Sequence, residues 1–233
     1  MSDQNSFEQV LASASLADVL TQRRSVRGFT DQVIEKDLLE HIFEKAQLSP
    51  SNCNTQPWKT YVASGEACDK LRKSLVEAAM SGAAPAAEFG YFGDFKKEYR
   101  QRQVDCAMAL YDNMGIERKD KPARLGALLR NYEFFDAPHV AFIGMPKQFD
   151  IVNGLDVGIY LQTLMLIMHA HGIGSCAQGA LAYYPEPVKA ALNIPEEIGI
   201  LVGLSFCYED EQAPANKTRT PRADLLDAVS FSV

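Results

Sequence analysis

Gly172-Ile-Gly174-Ser-Cys-Ala-Gln178-Gly179-Ala-Leu181 is the stretch on which the fold class turns. Its first two glycines invite comparison with the glycine-rich loop of a dinucleotide-binding βαβ unit. That loop, G-x-G-x-x-G, must follow a strand and open a helix. Here the preceding residues, Asp150 to His171, are hydrophobic nearly all round, which predicts a long central helix. Ala177 also stands where the third glycine belongs. The segment reads instead as a short strand of small residues, Gly174 to Ala177, in which Gln178-Gly179 brings backbone N–H groups close to a ligand or simply makes a tight turn.

The pattern on either side agrees. Downstream come a helix near Pro187 to Leu192, a strand from Ile198 to Phe206 and a basic tail at Lys217 to Arg222. Upstream, His139 to Met145 is an apolar strand, and Trp58 to Ala63 is another. A helix from Glu66 to Met80 puts Leu71, Leu75, Val76 and Ala79 on one face, with Gly82 as its stop. Leu38, Leu39, Ile42, Phe43 and Ala46 predict a helix over about 35–47, ended by the turn formers Ser49-Pro50-Ser51-Asn52. Ser15-Leu-Ala-Asp18 is a capping box opening a short helix to Gln22, with Leu16, Val19 and Leu20 as its apolar stripe. A turn is expected at Gly28. Residues 83–130 begin with small residues, turn aromatic at Phe89, Tyr91, Phe92, Phe95 and Tyr99, and become helical through Met114, closing at Gly115. Strands and helices alternate without a βαβ rhythm, which predicts an α+β class.

Composition bounds the function. At roughly 100–200 residues per domain, 233 residues without a repeat or linker read as one domain, 1–233. A formal charge of −7 gives no global field to attract nucleic acid or an anionic membrane. The five cysteines show no C-x-x-C and no spacing for zinc, and residues 1–20 carry no Lys or Arg, so neither a metal site nor a secretory signal is expected. Asp156, Gln162, His169 and His171 interrupt the most apolar run and argue against a membrane span. The expected location is the cytoplasm.

Arg23-Arg24-Ser25-Val26-Arg27 is the densest cationic patch. In an extended backbone Arg23, Ser25 and Arg27 share a side, and two guanidinium forks with a hydroxyl suit a phosphate monoester. The competing reading is a solvated helix C-terminus whose arginines answer the dipole. Pro50 to Trp58 packs Ser51, Asn52, Asn54 and Gln56 into one loop, and side-chain amides match the mixed donor and acceptor edge of a planar heterocycle. An Asn-rich loop making Asx turns is the alternative. If the loop is extended, Asn54 and Gln56 point the same way. His169 and His171 read as structural, and Cys53 as a free thiol. No hydrolase or P-loop motif is present.

Taken in order, Arg-Arg-Ser-Val-Arg at 23–27, Pro-Ser-x-x-Asn-x-Gln-Pro-Trp at 50–58, the long helix ending in Gly172-x-Gly174, Gln178-Gly179, and the basic tail running into 223–229 resemble the FMN-dependent nitroreductase family over nearly the whole chain. The resemblance implies an α+β fold with a central mixed sheet flanked by helices, in an intertwined homodimer with FMN at the subunit interface. It implies that Arg23, Arg24, Ser25 and Arg27 hold the FMN phosphate with Arg222 and either Arg219 or Lys217. Asn54 and Gln56 then address the flavin ring, Ser51 and Asn52 approach it from the partner subunit, and Gln178 and Gly179 lie beside the flavin N5. Asp224 stands where the family's tail often has proline.

By the same resemblance, NADPH or NADH delivers hydride and a small aromatic or quinone acceptor takes two electrons in ping-pong fashion, with no catalytic side chain and no metal. The resemblance also makes 83–130 a variable insertion that covers the active site. Residues 89–130 carry a net charge of +3 against −10 for the remainder, so an anionic aromatic acceptor such as a nitrobenzoate is expected, unless the charges form a solvated helix face. The alternatives are a reductive dehalogenase or flavin-fragmenting enzyme of the same superfamily, or a flavin-binding or storage protein without activity.

Overall fold

The computed structural model describes residues 2–90 and 94–232. Tyr91 and Phe92, two of the aromatic residues noted above, lie outside them. Four strands, β1 (Lys59–Ser64), β2 (His139–Pro146), β3 (Gly174–Gln178) and β4 (Ile198–Cys207), form one sheet in the order β1-β2-β4-β3. All three strand pairs are antiparallel. The mixed character of the sheet resides in one parallel bridge, where Ser25 meets Ser175 on the open edge of β3. β2 is buried from His139 to Met145, which is why it reads as an unbroken apolar run rather than an alternating one.

Nine helices are described: α1 (Ser2–Ser13), α2 (Leu16–Gln22), α3 (Lys36–Ala46), α4 (Glu66–Met80), α5 (Lys97–Asn113), α6 (Lys121–Leu129), α7 (Ile151–Ala170), α8 (Pro185–Leu192) and α9 (Leu225–Ala228). α4 covers the predicted residues, buries Leu71 and Leu75, and stops at Gly82, whose φ of +77° suits only glycine well. The Ser15 hydroxyl accepts the Asp18 N–H at the start of α2, as the capping box requires. Of the α2 stripe only Val19 is buried, and Leu16 and Leu20 face outward.

α7 departs from expectation in an informative way. Val157, Tyr160, Leu164 and Met168 pack into the core, and Asp150 caps the first turn by accepting the Val152 N–H. On its N-terminal half, however, Ile151 is 86% exposed and Leu155 66%, with Val152 and Ile159 beside them. The helix is central on one face and bare on the other. α1 and α6 carry no counterpart in the sequence reading. α1 is held through Phe7 against His41 and His171, contacts distant in sequence. α6 is capped by the Asp120 side chain, which accepts the Ala123 N–H.

Candidate active site

α2 ends at Gln22, and the chain leaves it extended, docking on the edge of β3 with the Val26 N–H donating to the Ser175 carbonyl at 3.0 Å. Period-two alternation then buries Val26 in the core and turns Arg23, Ser25 and Arg27 to the opposite side. They line a pocket of about 730 Å³ together with Arg219 and Arg222 from the far end of the chain. Arg24, Thr218 and Cys106 are among the other residues of its wall. Lys217 does not reach the pocket, which leaves Arg219 as the tail residue beside Arg222. None of the described residues lining it is acidic.

Asn216 ties the two ends together. It is buried, its Oδ1 accepts the Arg27 N–H at 2.6 Å, and its Nδ2 donates to the carbonyls of Gly28 at 2.8 Å and Asp210 at 2.9 Å. Gly28 is a site of close approach more than of turning, because an added Cβ would run into Ala213. Nothing in the sequence pattern singles out Asn216, since two of its partners, Arg27 and Gly28, lie almost the length of the chain away.

The arginines are only partly engaged. Arg219 Nη1 donates to the carbonyls of Asn216 and Thr218, and Arg222 Nη1 to that of Thr220 at 3.0 Å. Each guanidinium has five N–H donors, so most remain free to face the pocket. Burial, and then the like charge of Arg222, lower the pKa of Arg23. Cationic groups crowded in this way are stabilised by a bound anion. Arg24 differs from the others: its guanidinium pairs with Glu209, which fixes the segment more than it supplies a free fork. Its Nε is buried without a partner among the described residues.

Behind the pocket, burial raises the pKa of the Cys176 thiol, with Arg27 opposing. His169 lines a small adjoining cavity with Arg23 and Arg24, and burial followed by those two charges lowers its pKa. His171 turns elsewhere, edge-on to His41 at 5.2 Å, so the two histidines serve different surroundings. α5 leans on the tail, with Asn113 Nδ2 donating to Thr218 Oγ1 at 3.3 Å.

The loop at 51–56 is built differently. The extended conformation that would align Asn54 and Gln56 does not occur. Asn52–Asn54 is a 3₁₀ turn, Cys53, Asn54 and Gln56 have φ of 50°, 56° and 47°, and the Gln56 amide donates back to the Asn54 carbonyl. Such left-handed geometry is one that asparagine tolerates, which accounts for Asn54 but not for Cys53 or Gln56. Asn52, Asn54 and Gln56 are exposed, and with Ser51 they lie outside the arginine pocket. The loop is anchored behind by Pro57 and Trp58. Trp58 stacks on Tyr160 at 4.9 Å and donates to Gln47 Oε1. The Asn52 N–H donates to Asp156 Oδ1 at 3.0 Å, while Oδ2 of this buried carboxylate has no partner among the described residues. Asp156 was legible as the one charge in an apolar run, but only as an argument against a membrane span.

The Gln178 side chain is buried, donating from Nε2 to the Asn131 carbonyl at 2.9 Å and accepting from the Ser205 hydroxyl, so it is committed to the fold. Gly179 begins a 3₁₀ turn and lines a separate, smaller cavity. From Ser175, beside the arginines, four residues of strand rise carry the chain about 13 Å to Gly179.

Residues 20–208 match the model of the Nitroreductase family. The nitroreductase NfnB of Mycolicibacterium smegmatis is 39% identical over 211 residues, covering 90% of this chain and 89% of that protein. The 4-nitrobenzoate reductase of Pseudomonas putida is 33% identical over 205 residues, covering 88% and 89%. The crystal structure of the FMN-dependent nitroreductase NfnB from Mycobacterium smegmatis in complex with NADPH has a TM-score of 0.89 at 38% identity, covering 93% of this chain and 97% of that one.

Proposed function

The chain belongs to the nitroreductase family, and from that premise we propose that it is an FMN-dependent oxidoreductase that takes electrons from NADPH and reduces nitroaromatic acceptors. The observation that carries the cofactor is the convergence of Arg23, Arg27, Arg219 and Arg222 on a pocket with no acidic lining. A phosphate monoester, with about two negative charges and three acceptor oxygens, matches that donor set. A neutral ligand would leave the like charges uncompensated.

FMN when bound supplies the two-electron chemistry, and the protein supplies position and electrostatics. Arg23, Arg27, Arg219 and Arg222 hold the phosphate, with hydroxyl donors from Ser25 and Thr218. Arg24 keeps the segment in register through Glu209. Asn216 fixes the distance between the two arginine segments. β3 runs from this anchor to Gly179, and the network of the buried Gln178 and Ser205 with the half-buried Asn131 stiffens that end, where the backbone would meet the flavin ring. No side-chain acid or base is required, and none is assigned.

The ring-facing amides, Asn54 and Gln56, together with Ser51 and Asn52, come from the second subunit of a homodimer. The bare apolar face of α7, next to the loop that Asp156 anchors, is the surface that dimer buries. We read residues 1–233 as one domain with an insertion at about 83–130, whose α5 leans on the phosphate-binding tail. The location is the cytoplasm. An anionic acceptor remains part of this reading, although several insertion charges are already used: Arg102 lies over Tyr99, Arg124 over Tyr111, and Arg130 pairs with Asp136.

Purified protein should be yellow, bleach anaerobically with NADPH and regain its colour on adding nitrobenzene or 4-nitrobenzoate, the latter more efficiently at low salt. Colourless protein that takes up no FMN would overturn the reading.

A further inference from the structure

Two glycines bring the end of α7 against the arginine segment. Gly172, at a φ of +74°, lets the chain turn out of the helix. At Gly174 an added Cβ would stand 2.8 Å from Val26 Cγ2, so its absence lets residues 23–27 close on β3. His169, in the last turn of α7, then lines a cavity of about 90 Å³ whose wall also holds Arg23, Arg24, Ser175 and Glu209. Arg23 and Arg24 line the large arginine pocket as well. The imidazole and the anion site therefore share two guanidinium groups.

The balance of charge around His169 is set by few groups. Among the described residues of its cavity, Arg23, Arg24 and Glu209 carry charge, and Glu209 is taken by Arg24. Burial, and then the positive charges of Arg24 and Arg23, oppose protonation of the ring. The C-terminal end of α7 favours it, because the last carbonyls of a helix attract a cation. A phosphate in the arginine pocket brings about two negative charges to the same guanidinium groups and so cancels part of the opposition.

We propose that His169 is the proton-linked partner of the phosphate: largely neutral in apoprotein, it takes up part of a proton from solvent when FMN enters the arginine pocket. It is a positioning residue, acting on the phosphate through Arg23 and Arg24. This deepens the proposed function, since it takes the anion in that pocket to be the phosphate of FMN. By linkage, the proton and FMN each raise the other's affinity by the same factor.

The test is calorimetric titration of apoprotein with FMN and with riboflavin at pH 6.5, in two phosphate-free buffers of different ionisation enthalpy, for the native protein, His169→Gln and His169→Asn. Free FMN is itself partly protonated near its second pKa of about 6, and it sheds that proton on binding in all three proteins alike. Native protein should therefore take up roughly 0.3–0.5 proton more per FMN than either variant, with no such difference for riboflavin. Its FMN affinity should gain about threefold on that of the variants between pH 7.5 and pH 6. Histidine-labelled native protein answers the same question by NMR without a variant, because one of the four imidazoles should titrate at higher pH with FMN bound than with riboflavin. Equal proton uptake by native and variant proteins, or equal uptake with FMN and riboflavin, overturns the role of His169 alone. Native protein that binds no FMN overturns it together with the proposed function.

Discussion

The arginine pocket and the loop at 51–56 are both dense in polar groups, yet they stand differently in a single chain. The pocket gathers residues 23–27 and 219–222 around one volume, and Asn216 joins the two segments by hydrogen bonds at 2.6 and 2.8 Å. The loop turns its amides outward and is tied to the body through Trp58 and the Asn52 N–H. An anion is satisfied by charge density, which one chain can collect from its own two ends. A planar ring has to be enclosed on both faces, and a loop on the surface supplies only one. On this account the pocket is an intrachain device and the loop an interchain one, beside the exposed face of α7.

The largest effect comes from attacking that face. Leu155→Asp places a charge where the account buries a leucine against a second subunit, and it should give a monomer by light scattering, with near-native circular dichroism and activity lost. A dimer of full activity would show that the loop needs no partner. The next effect separates the loop from the pocket. Asp156→Ala removes the charged acceptor of the Asn52 N–H, an interaction of about 1.5–3 kcal/mol, so kcat/KM should fall about 10–100-fold while FMN affinity changes less than threefold. Asp156→Asn, which keeps an acceptor oxygen, should restore most of the loss. Equal losses in FMN affinity and turnover would mean that the two regions are one unit.

The smallest effect concerns the frame that holds both. His139 is buried between Ile34 and Ser64. Nε2 accepts the Ile34 N–H at 3.0 Å, which requires the neutral ring and assigns the proton to Nδ1, facing Ser64 Oγ at 2.6 Å. Burial lowers its pKa. The unfolded chain therefore takes up a proton first as pH falls below about 6.5, and stability is lost between that value and the lowered native one. Melting temperature should decline from pH 7.5 to pH 5 less steeply in His139→Gln than in the native protein, with FMN affinity at pH 7.5 unaltered. Identical slopes would remove His139 from the explanation.

The elements legible in the sequence are those whose signals are local. α4 shows its apolar stripe and its glycine stop within 17 residues, and β2 its apolar run within eight. Arg23, Ser25 and Arg27 follow from alternation alone once the segment is extended. What the sequence hides is what depends on distant partners. That the Gln178 side chain is occupied by Asn131 and Ser205, 47 and 27 residues away, is invisible in the sequence. Asn54 and Gln56 share a side only if the loop is extended, and three left-handed residues, Cys53, Asn54 and Gln56, break that geometry. α7 looked central because a hydrophobic surface has the same pattern whether it faces a core or a second chain. α6 had a readable cap in Asp120, lost among the charges of the insertion.

The central claim is that arginines from opposite ends of the chain share one phosphate, and binding of FMN and of riboflavin to apoprotein tests it directly in the native protein, Arg23→Ala, Arg222→Ala and the double variant. Each single variant should lose about 10–100-fold in FMN affinity with riboflavin binding nearly unchanged, and the double should lose less than the product because both arginines act on one group. Equal losses for riboflavin and FMN, or strictly multiplicative losses in the double variant, would contradict it.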